Sequence, residues 1–321
     1  MNSAMHRRDF LCAVGAAGIT VAWSSAAGAA PFQTRLQKAL IGKPTEDTLS
    51  QWKAAGFEGM ETNAWNVSTE EAAEGRRIAE QLGMQIHSVL YGWANFNSTD
   101  PAVVQKNLAE VETALRAAQG YGADAVLLVP CRVGDLPIPK PGEFRIEFDE
   151  QTGHVRQVVA GDNSSFAQYI AAHNRATDTS RDAVRKLIPL AEKTGVIIAL
   201  ENVWNNLWVQ PALFQNFVAS FDTRWVQAYF DIGNHVKYAP PQDWIRALGK
   251  LIVKCHVKDF LLTADGHDGK FVDIREGSVD WPLVRKCLDK IGYNGWMTIE
   301  GSGGLSLDEQ HKRLQDIVSG K

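Results

Sequence analysis

Four short apolar runs in the second half of the chain each finish on a side chain able to coordinate a metal. They are Ile197-Ile198-Ala199-Leu200-Glu201, Gln227-Ala228-Tyr229-Phe230-Asp231, Leu251-Ile252-Val253-Lys254-Cys255-His256 and Met297-Thr298-Ile299-Glu300. Strands buried on both faces of a parallel sheet read as such unbroken apolar runs. If the sheet closes into a barrel, the residue at each strand's C-terminal end points into the mouth, where the four side chains can meet. Three carboxylates buried beside one imidazole are costly unless a cation compensates them. The runs therefore predict a parallel sheet whose strand ends hold one divalent metal ion.

The rest of the chain supplies the alternation that such a sheet needs. Lys38 to Gly42 reads as the first strand and Thr45 to Ala55 as its helix, Gly59 to Thr62 as the second strand and Thr69 to Leu82 as the next helix. Gln85 to Tyr91 is the third strand, followed by a helix from Pro101 to Tyr121, and Ala125 to Pro130 is the fourth. Four more strands end at Glu201, Asp231, His256 and Glu300, and a last helix runs from Ser306 to Ile317. Eight strands and eight helices predict an α/β fold, a single-domain (β/α)8 TIM barrel. The fourth connection is irregular. Phe144 to Phe148 and His154 to Val159 alternate like strands around Asp149-Glu150-Gln151-Thr152-Gly153, which predicts a β-hairpin inserted after strand 4 and before a long helix from Ser165 to Lys193.

At 321 residues, with 45% hydrophobic and 22% charged, the chain can bury one full-sized core. A formal net charge of −4 without a long basic run leaves no electrostatic footprint for nucleic acid. The first thirty residues differ in kind. His6-Arg7-Arg8-Asp9-Phe10-Leu11 precedes a small apolar stretch from Cys12 to Trp23, and Ala27-Gly28-Ala29 supplies a small-residue cleavage site. The Arg-Arg pair followed by Phe-Leu resembles the bacterial twin-arginine signal. Residues 1–29 are thus expected to be a signal peptide removed after Ala29, leaving 30–321 as the barrel in the periplasm, with the twin-arginine (Tat) export machinery as a partner. The apolar stretch is well short of the roughly 20 residues that span a bilayer, so no stable membrane anchor is expected. Cys131, Cys255 and Cys287 remain in the mature part, an odd number that implies no disulfide framework.

Three oxygen ligands and one nitrogen suit Mn²⁺, Mg²⁺ or Co²⁺, with Zn²⁺ admitted and soft-metal sites excluded by the lack of thiolates. Such a site keeps open positions that two neighbouring substrate oxygens can fill, acidifying the C–H between them. Glu201 and Glu300 come from different strands, so one can remove the proton and the other return it, giving isomerisation or epimerisation through an enediolate. Lys258 shares strand parity with His256 and is expected to point at a substrate oxygen, against the plainer reading of a salt bridge with a neighbouring acid. Asp259 reads as a partner orienting His256 or Lys258. Glu61 at the end of the second strand and His87 on the third are candidates to hydrogen-bond a substrate hydroxyl; a satisfied interior polar residue is the rival reading for both. Trp204, three residues after Glu201, can stack on an apolar C–H face of a substrate. Gly301-Ser302-Gly303-Gly304 reads as a turn rather than a phosphate cradle, four small residues letting the chain turn beside the metal.

Leu200-Glu201-Asn202, Phe230-Asp231-Ile232-Gly233-Asn234, Cys255-His256-Val257-Lys258-Asp259 and Thr298-Ile299-Glu300, in this order, resemble the xylose-isomerase-like sugar isomerase/epimerase superfamily. That group includes ketose 3-epimerases and hydroxypyruvate isomerases. Glu276-Gly277-Ser278-Val279-Asp280-Trp281 and Ile291-Gly292-Tyr293-Asn294-Gly295 are similar to the stretch before its last strand. The resemblance implies Glu201, Asp231, His256 and Glu300 as metal ligands, with the two glutamates also doing acid/base work. Family epimerases often carry a His three residues after the metal-binding Asp; here Asn234 stands there and His235 one position later, and both are expected at the substrate. The superfamily's three-metal nucleases need several further His ligands, of which His87 is the sole early candidate. The sequence thus points to an exported, metal-dependent isomerase or epimerase with a small, unphosphorylated sugar as substrate. The alternatives are a lyase acting on 3-keto-glycosides and, disfavoured by the presence of both glutamates, a non-catalytic sugar-binding protein. A homo-oligomer is compatible with every reading.

Overall fold

Eight apolar runs, each followed by a helix, close on one another as a parallel barrel in the computed structural model, which describes residues 32–321. The signal expected over 1–29 and its cleavage after Ala29 lie outside the described residues. The barrel strands are β1 (Leu36–Gly42), β2 (Gly59–Thr62), β3 (Gln85–Trp93), β4 (Ala125–Val129), β5 (Ile197–Glu201), β6 (Val226–Asp231), β7 (Ile252–Val257) and β8 (Gly295–Ile299). Each hydrogen-bonds to its sequence neighbours, and β8 returns to β1 with Gly295 opposite Leu36. The helices are α1 (Glu46–Ala55), α2 (Thr69–Gln81), α3 (Pro101–Tyr121), α4 (Ala167–Thr194), α5 (Pro211–Ala219), α6 (Pro241–Leu248), α7 (Trp281–Ile291) and α8 (Leu307–Val318). The expected (β/α)8 architecture is the one the chain adopts.

Local chemistry sets the helix limits. Thr45, Asp100, Asp280 and Ser306 each cap a helix by accepting from a first-turn N–H, and Ser68 with Glu71 forms a reciprocal capping box. Ser306 and Glu309 form only half of such a box, because the Glu309 carboxylate reaches forward to Arg313 (2.9 Å). Ala125, Leu127, Val129, Ala199 and Tyr229 make one buried cluster, while a larger one includes Met60, Val126, Ile198, Leu213, Ile245 and Leu288 from strands and helices. Among the described residues no helix is long and apolar enough to cross a membrane.

Two connections break the simple alternation. After β4, the expected hairpin pairs Glu147–Phe148 with Val155–Gln157, with a register shift between Glu147 and Phe148, and backbone bonds from Arg145 N–H to the Val158 carbonyl (2.7 Å) and from Asp149 N–H to the His154 carbonyl (2.8 Å) flank it. It is tied to α4, where the Asn174 side chain bonds both Val155 N–H (2.7 Å) and its carbonyl (2.9 Å). After β7 a second, unforeseen hairpin pairs Asp259–Leu262 with Gly269–Val272.

Candidate active site

Parallel register brings the coordinating side chains together. Asp231 ends β6 opposite His256 of β7, and His256 lies opposite Thr298 of β8. Glu300 is the first residue beyond β8 but stays in register, its N–H bonded to the Val257 carbonyl (3.1 Å). One donor atom from each of Glu201, Asp231, His256 and Glu300 lies within 4.8 Å of every other. His256 Nδ1 faces the three acids: 3.1 Å from Glu300 Oε2, 3.3 Å from Glu201 Oε1 and 3.9 Å from Asp231 Oδ2.

Asn202, next after Glu201, stitches the ends of β5 and β6 together: its Nδ2 donates to the Asp231 carbonyl (2.8 Å) and its Oδ1 accepts the Asp231 N–H (2.7 Å). Asp231 Oδ1 takes the N–H groups of Gly233 (2.8 Å) and Asn234 (2.7 Å), which locks the following turn. Its Oδ2 is buried, aimed at the cluster and without a hydrogen-bond partner. An orphaned carboxylate oxygen amid three other donors is what a divalent cation satisfies, so these four residues fit a hard to borderline metal ion.

Electrostatics agree with that fit. Burial pushes Glu201 above the usual carboxylate range and Asp231 up to about 7. Burial works in the same sense on Glu300, but His256 and Lys258 outweigh it and hold Glu300 well below its ordinary value. Lys258 and His256 are both raised, because the surrounding acids overcome the burial that disfavours their charge.

Lys258, Asn234 and Trp204 stand at the cluster, where Lys258 makes the salt bridge of the plainer reading. Lys258 Nζ lies 2.7 Å from Glu300 Oε2, 3.4 Å from Asp231 Oδ2 and 3.2 Å from Asn234 Oδ1. Asn234 also donates to the Asn202 carbonyl (3.1 Å), and the Trp204 indole N–H donates to the Asn234 carbonyl. The Lys237 ammonium sits 3.5 Å above the Trp204 ring.

Four other expectations are corrected. His235 is turned away: its Nε2 meets the Val203 carbonyl (3.0 Å), its ring packs against Tyr238 and Trp244, and burial lowers it to about 3. One step along a tight turn reverses the direction of the side chain, which puts Asn234 in the site and His235 in the core. Asp259 touches neither His256 nor Lys258. Its carboxylate takes the N–H groups of Phe260 (2.9 Å) and Arg275 (2.9 Å) and the Trp281 indole N–H (3.0 Å), anchoring the second hairpin. Gly277 makes room for it, since a Cβ there would lie 2.1 Å from Asp259 Oδ1. His87 is wholly buried, stacked on Trp296 at 4.5 Å and bonded to Thr298 Oγ1 (3.0 Å), two residues before Glu300. Glu61 is equally enclosed and reaches His256 Nε2 at 2.6 Å rather than the mouth.

The second hairpin brings a residue that the sequence reading missed. Phe271 is 42% exposed, its ring 4.9 Å from Trp204 and 5.1 Å from Lys258 Nζ. The signal was there in Asp265-Gly266, a dipeptide suited to hairpin turns, with Gly266 at a positive φ. The Gly301 to Gly304 segment is a turn, as expected. Ser302 points inward to accept the Ile274 N–H (3.1 Å), and Ser306 already occupies the Glu309 N–H at the start of α8.

A profile of the family described as xylose isomerase-like TIM barrel matches residues 49–317. An uncharacterized protein of Methanocaldococcus jannaschii is 26% identical over 150 residues, 45% of this chain and 46% of that protein, so the match spans less than half of the relative's length. Among solved structures, the apo form of 3-keto-D-glucoside 4-epimerase from E. coli superposes with a TM-score of 0.65 at 15% identity, covering 88% of this chain and 99% of that one. A xylose isomerase-like TIM barrel protein from Mycobacterium smegmatis, in complex with magnesium, gives 0.60 at 18% identity over 90% of this chain and 96% of its own. At such identities the likeness carries the fold alone.

Proposed function

This chain belongs to the xylose isomerase-like TIM barrel family, and from that premise we propose that it is a divalent-metal-dependent isomerase or epimerase of an unphosphorylated sugar. The convergence of Glu201, Asp231, His256 and Glu300 within 4.8 Å carries this reading. A divalent cation held by these four supplies Lewis acidity that polarises substrate oxygens and acidifies the neighbouring C–H. Glu201 and Glu300 stand at strand ends separated by β6 and β7, so they approach a bound substrate from different directions. One carboxylate takes the proton and the other returns it, through an enediolate. The Lys258 ammonium, 2.7 Å from Glu300 Oε2, is placed to stabilise negative charge as it develops on a substrate oxygen. Trp204 and Phe271 offer ring faces to the C–H side of a sugar.

Turnover of free ketoses in D₂O, followed by NMR with and without EDTA, tests the proposal. Deuterium should enter at the carbon whose configuration or oxidation level changes, and chelation should stop it. Full turnover in a verified metal-free preparation would overturn the metal-dependent reading.

A second reading, a metal-dependent lyase on 3-keto-glycosides, is favoured by the exposed Phe271 beside Lys258, which gives an aglycone an apolar surface. Offering a ketose and a 3-keto-glycoside in parallel separates the two: an epimer supports the first, a released aglycone the second.

A further inference from the structure

Glu61 is a carboxylate with no solvent exposure, at the end of β2. A buried charge of this kind persists only where its lone pairs are taken up. Both of its oxygens are engaged: Oε1 accepts the Ser88 hydroxyl of β3 (3.1 Å), and Oε2 lies 2.6 Å from His256 Nε2 on β7. An imidazole that meets a cation through Nδ1 carries its hydrogen on Nε2, and Oε2 is placed to accept it. The other ring nitrogen, Nδ1, is then the one turned toward Glu300, Glu201 and Asp231, at 3.1, 3.3 and 3.9 Å. The Tyr229 ring, its centroid 4.4 Å from that of His256, packs beside the imidazole. No backbone carbonyl and no other carboxylate approaches Nε2 among the described contacts, and Asp259, the nearest acid in sequence, is fully engaged elsewhere.

We propose that Glu61 is the positioning residue for the imidazole of the metal site. It fixes which ring nitrogen carries the hydrogen and holds the ring so that Nδ1 presents its lone pair to a cation, and it makes no contact with sugar. The inference rests on the metal-dependent reading above. A carboxylate accepting from the far nitrogen both orients an imidazole ligand and makes it a better donor, and changing such partners typically costs 10–100-fold in metal affinity. Ser88 serves the arrangement one step further out, by fixing the carboxylate that fixes the ring.

The test compares wild type with Glu61→Ala and Glu61→Gln, titrating Mn²⁺ calorimetrically into metal-free protein. The His256 ring protonation is read from ¹⁵N NMR of the same samples, and KM at saturating Mn²⁺ from turnover. We expect Glu61→Ala to weaken Mn²⁺ binding by up to about 100-fold and Glu61→Gln by roughly tenfold, since the amide oxygen can still accept from Nε2–H. In the metal-free proteins the His256 Nε2–H resonance should be displaced by its carboxylate partner in wild type and move back toward the ordinary imidazole position in Glu61→Ala. At saturating Mn²⁺ KM should stay within about twofold of wild type. Wild-type Mn²⁺ affinity in either folded variant overturns the proposal, as does a raised KM with unchanged affinity, which would make Glu61 a substrate contact. Should Glu61→Ala fail to fold, the isosteric Glu61→Gln decides alone. A wild type that binds no Mn²⁺ removes the metal reading itself, a failure recognisable because it occurs before any substitution.

Discussion

Glu300 is the most open of the four coordinating residues, its side chain 33% exposed, and both His256 Nδ1 and Lys258 Nζ come within about 3 Å of its Oε2. That position suits a group that must both bind and move a proton. Glu300→Gln keeps an oxygen donor and removes the base, so metal affinity should fall modestly while the rate falls roughly 10²–10⁴-fold. A variant with normal metal content and less than about a tenfold loss would show Glu300 to be a ligand only. Lys258 predicts an opposite pair of effects. Its ammonium sits against two of the acids and repels any cation they hold, so Lys258→Met should bind Mn²⁺ more tightly yet turn over about 10²–10³-fold more slowly, as expected when a charge-stabilising group is lost. Equal or weaker Mn²⁺ binding would refute that placement. The buried histidines give a pH dependence. Burial holds His173 and His235 at about 3, against roughly 6.5 in an unfolded chain. Each takes up a proton on unfolding between those values. The stability that neutral His235 contributes is thus complete above pH 6.5 and declines as pH falls toward 3, by about 1.4 kcal/mol per unit. Urea titrations from pH 7 to 5 should show a shallower decline in His235→Gln than in wild type; parallel curves would contradict the assignment.

At the scale of elements, the hairpin after β7, and not the hairpin after β4, brings a side chain to the coordinating cluster. The latter is bound down to α4 through Asn174 and Arg181, whereas the former carries Phe271 to the rim beside Trp204 and Lys258. Phe271→Ala should therefore raise KM several-fold with little change in kcat and an unaltered circular dichroism spectrum; an unchanged KM would take the hairpin out of substrate binding. The second hairpin was hard to read because Leu261 is 41% exposed and the flanking strands are four residues each, so alternation has no room to declare itself. The four coordinating residues were legible for the converse reason. An apolar run fixes a buried strand, and its last polar residue can only face the mouth. Glu61 and His87 show the limit of that logic: periodicity assigns a side chain to the inside of the barrel but not to a depth within it. Both are fully enclosed among the strands. Depth depends on strand stagger and on which long-range partner is near, and Glu61 meets His256 from a strand on the far side of the sequence.

At the scale of the whole molecule, the four coordinating residues come from consecutive strands β5 to β8, and β8 closes the barrel against β1. A cation there would join the second half of the barrel and exist only in the folded state. This bears on export. If Arg7 and Arg8 route the protein through a pathway for folded substrates, as we propose, loading can precede transport. Replacing both with Lys should trap the precursor inside, and mature protein still found outside by fractionation would refute the route. The same topology makes metal removal a stability experiment as well as an activity one. A ligand that binds only the folded state stabilises by RT ln(1 + [L]/Kd), about 2.7 kcal/mol at a hundredfold excess over Kd. For a domain of this size each kcal/mol moves Tm by roughly 2–4 °C. Dialysis against EDTA should thus lower Tm by about 5–10 °C and abolish turnover, and Mn²⁺ should restore both over the same concentration range. In Asp231→Asn, which weakens the ligand whose Oδ2 makes no hydrogen bond, both recovery curves should shift together to higher Mn²⁺. Turnover that recovers at concentrations leaving Tm unmoved would mean that the activating ion binds somewhere other than these strand ends.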